Sequence, residues 1–385
     1  MTPKHNQDGF SLIELMVALV VGLIVVAGVI QIFFGTRMTF NTTEAVARVQ
    51  ENARFALESI KPAVRENDVQ GFCASDIEVN NHLNLGCSDN TDLIYGTNSA
   101  FLAWDFNGTG PRDEYTLPDD LDPAGIAASQ WSSVDNLGTA LDLPAVFNGR
   151  VVPGSDVFIT RRLSVIEGIT GLSVLPGQIN LADGGGAAAS HGLDANALVY
   201  VTNCNFGDFF HTSTTGTSFQ AGASSCGAVG PGNSGVIFDV SSPTLQVFEV
   251  ELFGYYVGFN AVRDETGLYR VDLSRGLANA VHEEIVSGVE TMQVLAGYSL
   301  PAPAGDGQHV DNWLPGDEVP NWEFVIGAQV SLLMSSTDNV DMDEQTQTFE
   351  LSGVQVTATE DARLRQPFTA RFSLRNRQLV APFGT

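Results

Sequence analysis

The sequence predicts an α+β protein: a long N-terminal transmembrane helix followed by a large, antiparallel β-rich globular domain. Three observations carry that expectation. Leu15–Phe34 is apolar throughout except for Gln31. Val46, Val49, Ala53, Ala56, Leu57, Ile60 and Val64 then recur at three- and four-residue steps, which makes one apolar stripe on a helix. After Gly71 short apolar runs alternate with Gly, Asn, Asp, Ser and Pro, the texture of antiparallel strands joined by turns.

The first element is divided by its chemistry. Residues 1–9 are a polar leader with Lys4 and His5, and residues 10–34 form the span. Twenty apolar residues rising ~1.5 Å each cover roughly 30 Å, the thickness of a hydrocarbon core. Glu14 stands near the start of this span. An acid at mid-membrane costs roughly 2.5–3.5 kcal/mol, somewhat less near an end, so Glu14 calls for a partner or a task. A secretory signal has a shorter apolar region, a cleavage site after it and no acid inside; Val25-Val26-Ala27 imitates such a site only loosely.

Residues 35–66 read as an amphipathic continuation of the helix, with Glu44, Arg48, Glu51, Arg54 and Glu58 on the solvent face. Glu44 and Arg48 form a favourable i,i+4 pair. Thr36–Thr43 is weakly helical and predicts a bend or a loosened turn, and Pro62 predicts a kink or the last turns.

Residues 67–385 are assigned to the β-rich domain. Predicted strands are Asp92–Tyr95, Asp156–Thr160, Ala197–Val201, Gly235–Val240, Gln246–Phe259, Gly267–Val271, Met292–Tyr298, Phe324–Ser335 and Thr369–Leu374, with Leu277–Ser287 a short helix or a strand. Residues near 171–189 and 212–234 are rich in Gly, Ser and Thr and read as surface loops. The formal net charge is −27, which opposes nucleic acid or an anionic membrane surface as a direct partner of the domain. The four cysteines fall after the span as two local pairs without zinc-ligand spacing. An even count in an extracytoplasmic domain reads as two disulfides. Locality favours Cys73–Cys87 and Cys204–Cys226, although four cysteines allow three pairings.

Catalytic patterns are missing. His282-Glu283-Glu284 begins like a zinc-protease motif but lacks the second His; no Gly-x-Ser-x-Gly elbow or P-loop occurs, and the histidines are scattered. The chain is therefore not expected to be an enzyme. Asp105, Asn107 and Thr109, with Gly110 in sixth place, resemble the front of a calcium loop. The twelfth place is Thr116 rather than Glu, and Glu114 sits two places early. Solvated acidic turns account for this segment more simply. No other cofactor is expected.

The run Gly9-Phe10-Ser11-Leu12-Ile13-Glu14 and the span behind it resemble the type IV prepilin (class III) signal; Asp8 departs from the pattern. The resemblance implies that a prepilin peptidase cuts between Gly9 and Phe10 and methylates Phe10. It implies that the span is first a membrane anchor and then a strand of a filament core. Glu14 matches the family acid that neutralises a neighbouring subunit's amine.

Further motifs resemble the PilW family of type IV pilus assembly proteins, in family order: Glu51–Glu58, Gly154–Arg162, Val286–Val294, Asn321-Trp322 leading into Val325–Met334, and Phe372–Arg377. The resemblance implies a minor pilin that primes assembly with other minor pilins and rides at the pilus tip. Its partners would be the major pilin, other minor pilins, the prepilin peptidase, the inner-membrane assembly platform and a large tip adhesin. The chain would sit in the bacterial inner membrane with its domain in the periplasm, and then in the pilus. A type II secretion minor pseudopilin and a membrane-tethered binding module remain as alternative readings.

Overall fold

The computed structural model describes residues 11–66, 78–83, 94–96, 101–169, 171–175, 178–182, 187–188, 190–194, 197–212, 215–220, 246–277, 280–301, 304–305, 307, 309–340 and 346–374. Its first element is one helix, α1 (Leu12–Arg65), of 54 residues. At 1.5 Å per residue it is about 80 Å long. The expected loosened turn at Thr36–Thr43 does not form. The hydroxyls of Thr36, Thr39, Thr42 and Thr43 each donate to the carbonyl four residues back, at 2.7–2.9 Å. Back-bonding of this kind satisfies the polar side chains without breaking the helical ladder. Pro62 lies in the last turn, where few downstream residues depend on the ladder, and the Glu66 N–H closes onto the Pro62 carbonyl at 2.8 Å.

The strands follow in chain order. β1 (Glu78–Asn81), β2 (Phe101–Phe106), β3 (Glu114–Thr116), β4 (Trp131–Val134), β5 (Ala140–Asp142) and β6 (Val157–Val165) come first. Then come β7 (Gly171–Leu175), β8 (Gln178–Ala182), β9 (Leu198–Thr202), β10 (Phe206–His211), β11 (Ser218–Gln220) and β12 (Gln246–Asn260). The last are β13 (Glu265–Asp272), β14 (Val281–Ser287), β15 (Val289–Tyr298), β16 (Asn312–Leu314), β17 (Val325–Asn339), β18 (Thr348–Leu351), β19 (Val354–Thr357) and β20 (Arg363–Ser373).

The largest sheet has the order β1-β10-β9-β12-β6-β2-β4-β5 and is antiparallel except for β1 with β10. β12 is long enough to change partner along one edge. Its first residues pair with β9 and its last eight with β13, while β6 runs along the other edge. β14 extends the sheet beyond β13. A second antiparallel sheet has the order β16-β15-β17-β20. Two three-stranded sheets, β11-β8-β7 and β18-β19-β3, complete the described strands.

The outer half of α1 packs against β20, β17, β14 and β6. Val49, Ala53, Ala56, Ile60, Ala63 and Val64 are buried there, in one cluster with Phe158, Tyr255, Met292, Val330 and Leu332. Ala53 and Ala56 are fully buried, and their small side chains set how closely the helix approaches the sheets. Polar contacts lock the same face: Thr160 Oγ1 donates to the Ala63 carbonyl at 2.6 Å, and Arg162 meets Glu66 at 3.2 Å.

Several expected strands form with longer bounds. β15 begins at Val289 rather than Met292, and β20 begins at Arg363 rather than Thr369. Leu277–Ser287 resolves as the strand β14. Ile94 and Tyr95, expected in a strand, lie outside one, while the rest of Asp92–Tyr95 and all of Gly235–Val240 fall outside the described residues. The two Gly/Ser/Thr-rich segments are not simply surface loops. β7 and β8 pair as a hairpin within 171–182, and β11, from the second segment, pairs with β8. They cover a second small core of Ile179, Leu181, Val199, Val201, Phe210, Phe219 and Val247. The reason is long-range: Ile179 and Leu181 alternate along β8, but Phe219 reaches them only once β11 pairs with β8.

Candidate assembly site and buried polar centres

α1 presents two different surfaces. From Leu12 to Phe34 every residue is exposed, and an apolar window of membrane-crossing length has no part buried in the domain. By length and composition this segment can cross a membrane. Glu14 lies at its start, exposed, and its carboxylate accepts the Ser11 N–H at 3.0 Å. Ser11 to Glu14 has the spacing of a capping box, a signal legible in the sequence but overlooked there; an acid also suits the positive end of the helix dipole. Gly9 and Phe10 lie outside the described residues. So do Cys73, Cys87 and Cys226; among the described residues no cysteine is free.

The calcium-like turn folds onto itself. Thr109 Oγ1 donates to the Phe106 carbonyl at 2.7 Å. Asn107 accepts from Ser132 Oγ at 3.2 Å and donates to the Ser129 carbonyl at 2.9 Å. Asp105 does not point to the same place: it is buried on β2, one step past the Trp104–Val157 pair, beside Asp156. Asp156 ties two sheets together, accepting the Phe106 N–H at 3.0 Å and the Val294 N–H at 2.7 Å. Burial pushes the Asp105 carboxyl well above the usual range, and the Asp156 charge pushes it further. Burial likewise raises Asp156, against the pull of its two backbone donors. The pair therefore retains a proton where isolated carboxyls would be ionised. Among the described residues no three His, Cys, Asp or Glu side chains form a metal-holding group.

A second buried centre was invisible in the sequence. Arg365 of β20, with its side chain 2% exposed, reaches Glu290 of β15 at 2.7 Å, and Asp361 at 2.5 and 2.7 Å. These bonds hold the guanidinium charged despite burial, and the same contacts pull the Asp361 carboxyl below its usual range against the effect of burial. Glu290 and Arg365 are 75 residues apart, so no local pattern could join them.

The abortive zinc-protease resemblance is structural. His282 Nδ1 meets the Tyr256 hydroxyl at 2.9 Å. Burial, and then the Arg150 charge, lower its pKa to about 4, which keeps it neutral in the strand.

Comparison with known families now meets this geometry. The prokaryotic N-terminal methylation motif matches residues 4–30, the entry to α1 and most of its exposed apolar half. That match marks the class, a pilin-like chain with a prepilin signal, and the long apolar helix behind it fits a membrane anchor. The family model for Type IV Pilus-assembly protein W matches residues 254–376, from the later part of β12 to just beyond β20. The two matches together support a PilW-like prepilin, similar to a type IV pilus-assembly protein over about a third of the chain. Both families are structural or assembly families of the pilus rather than enzymes. No curated protein and no solved structure matches this chain.

Proposed function

We propose that this chain is a minor pilin of the type IV pilus, one that primes assembly with other minor pilins and sits at the pilus tip. The observation that supports this reading most is the division of α1: its first half is apolar and exposed, while its second half is cemented into a PilW-like domain. A helix apolar on every side is suited to lipid or to a bundle of similar helices. In this reading Gly9 and Phe10 carry processing by a prepilin peptidase, and Glu14 carries assembly. Its carboxylate, placed at the positive end of α1, would exchange the Ser11 N–H for the terminal amine of a neighbouring subunit. In a low-dielectric helix bundle that ion pair is stronger than in water. Major pilin, other minor pilins, the assembly platform and a tip adhesin are the partners proposed, and Cys73–Cys87 and Cys204–Cys226 the proposed disulfides.

Intact mass and N-terminal sequencing of the protein, from cells with and without the prepilin peptidase, test the class. A mature chain starting at methylated Phe10 only when the peptidase is present supports it; a chain starting at Met1 in both discards it. Pilus counts then test the role. Loss of the gene, or Glu14→Ala, is expected to reduce surface pili strongly, whereas normal counts in both strains would remove the priming role.

A further inference from the structure

A pocket of about 510 Å³ opens where β12 and β13 meet, a size suited to a small molecule. Strand pairing builds its inner wall. Tyr256 lies opposite Tyr269 across β12 and β13, so both rings rise from one face, where they stack at 5.5 Å. His282 of β14 stands edge-on to Tyr256 on the same face, with ring centres 5.7 Å apart. Gly258 leaves bare backbone beneath them: a Cβ there would lie 2.8 Å from the Tyr269 ring and 3.0 Å from that of Tyr256. Phe259 adds apolar surface at the side. Two other segments close the pocket, and each brings one charge. Gly149, at a φ of 65°, turns the chain so that Val151 bridges to Gly258, which fixes Arg150 beside the rings. The Arg150 guanidinium has no ion pair or hydrogen bond with any described residue, yet its charge acts on both Tyr256 and His282. Asp122 commits Oδ1 to the Ala124 N–H at 2.9 Å, and its Oδ2 has no bond among the described residues.

We propose that this pocket binds a neutral pyranose sugar. The inference goes beyond the minor-pilin reading and does not depend on it. A hydroxyl both donates and accepts, so neighbouring sugar hydroxyls can accept from Arg150 while donating to Asp122. An anionic ligand would satisfy Arg150 but meet the charge of Asp122, and a cationic ligand the reverse. The net charge of −27 opposes an anion further. The C–H groups of a pyranose carry slight positive charge, which suits the negative face of an aromatic ring such as half-buried Tyr269. An added peptide strand would need an open sheet edge. None lines the aromatic wall: β13 is paired by β12 and β14, and the Val152 N–H donates to the Val257 carbonyl at 2.9 Å on the other side of β12.

The test uses the full-length protein in a detergent without a sugar headgroup. Maltotriose, lactose and mannobiose are the neutral probes, and galacturonic acid is the charged comparison. Saturation-transfer NMR is expected to give a saturable signal from at least one neutral probe, with a dissociation constant in the millimolar range. The signal should concentrate on the C–H protons of one ring. Arg150→Ala and Asp122→Ala, both at exposed positions, should each weaken binding about tenfold with an unchanged melting temperature. Arg54→Ala, on the exposed face of α1 and outside the pocket, should leave binding as it is. Added salt should not weaken the neutral probe, because no ionic pair forms with it. Silence from every neutral probe would overturn the proposal. So would binding indifferent to both pocket variants, or galacturonic acid binding more tightly than lactose.

Discussion

At Arg365 a single guanidinium pairs with two carboxylates, Glu290 of β15 and Asp361 just before β20. Truncating it to Met would leave Glu290, with its side chain only 3% exposed, charged and unpaired. A broken buried pair costs about 3–5 kcal/mol, so Arg365→Met is expected to shift the denaturant midpoint strongly downward. Asp105 and Asp156 give the opposite case, two like groups sharing one buried site. A carboxyl whose folded pKa lies above its unfolded value stabilises the fold fully below that unfolded value, about 4, and the contribution is lost as pH rises through the folded value. The wild-type protein is therefore expected to weaken as pH climbs through and above neutrality. Asp105→Asn removes the repulsion, which should flatten that slope and raise stability at pH 8 by about 1–3 kcal/mol. Urea unfolding at several pH values checks it; an unchanged slope would show that the pair is not coupled. Because the Asn107 oxygen already accepts from Ser132 and Asp105 is buried beside Asp156, away from the turn, titrating the protein with millimolar calcium chloride in a calorimeter is expected to give no heat. A saturable heat that Asp105→Asn abolishes would restore the ion.

At the scale of elements, α1 works because its buried face is built from small residues. Ala56 is fully buried against the sheets, so Ala56→Leu must push helix and sheet apart. Overpacking of this kind costs about 1–3 kcal/mol, and the variant should be nicked faster by protease near the helix–domain junction than the wild type. β15 and β20 show why element bounds were only partly legible. Glu290 looks like a surface residue in sequence, yet every residue of β15 is buried and Arg365 neutralises the charge from another strand. Pro367 argues against a strand, but β20 lies at the end of its sheet, where a missing N–H is tolerated. The strands β12 and β17 were readable because their long apolar runs need no partner to be recognised.

For the whole molecule, the first 23 described helical residues and the β-domain are energetically separate. None of Leu12–Phe34 is buried in the domain, whereas the second half of α1 is part of its core. Deleting residues 1–34 is therefore expected to leave the melting temperature of the domain within about 2 °C of the full-length protein in detergent. A larger drop would mean that the anchor helix braces the fold. The sequence by itself determined the span, the acid at its start, the amphipathic stripe behind it and the β class of the rest. Each of these is local periodicity or length, which the chain displays without knowing its neighbours. Local hydroxyl bonds to the carbonyl four residues back carry the helix unbroken through Thr36–Thr43, whereas the tertiary structure alone decided that the Gly/Ser/Thr-rich segments pair into a small sheet. It also decided that Glu290 meets Arg365 and that Asp105 lies beside Asp156. Contacts such as these join residues tens to hundreds of positions apart, and only the packed sheets bring them within hydrogen-bonding or Coulombic reach.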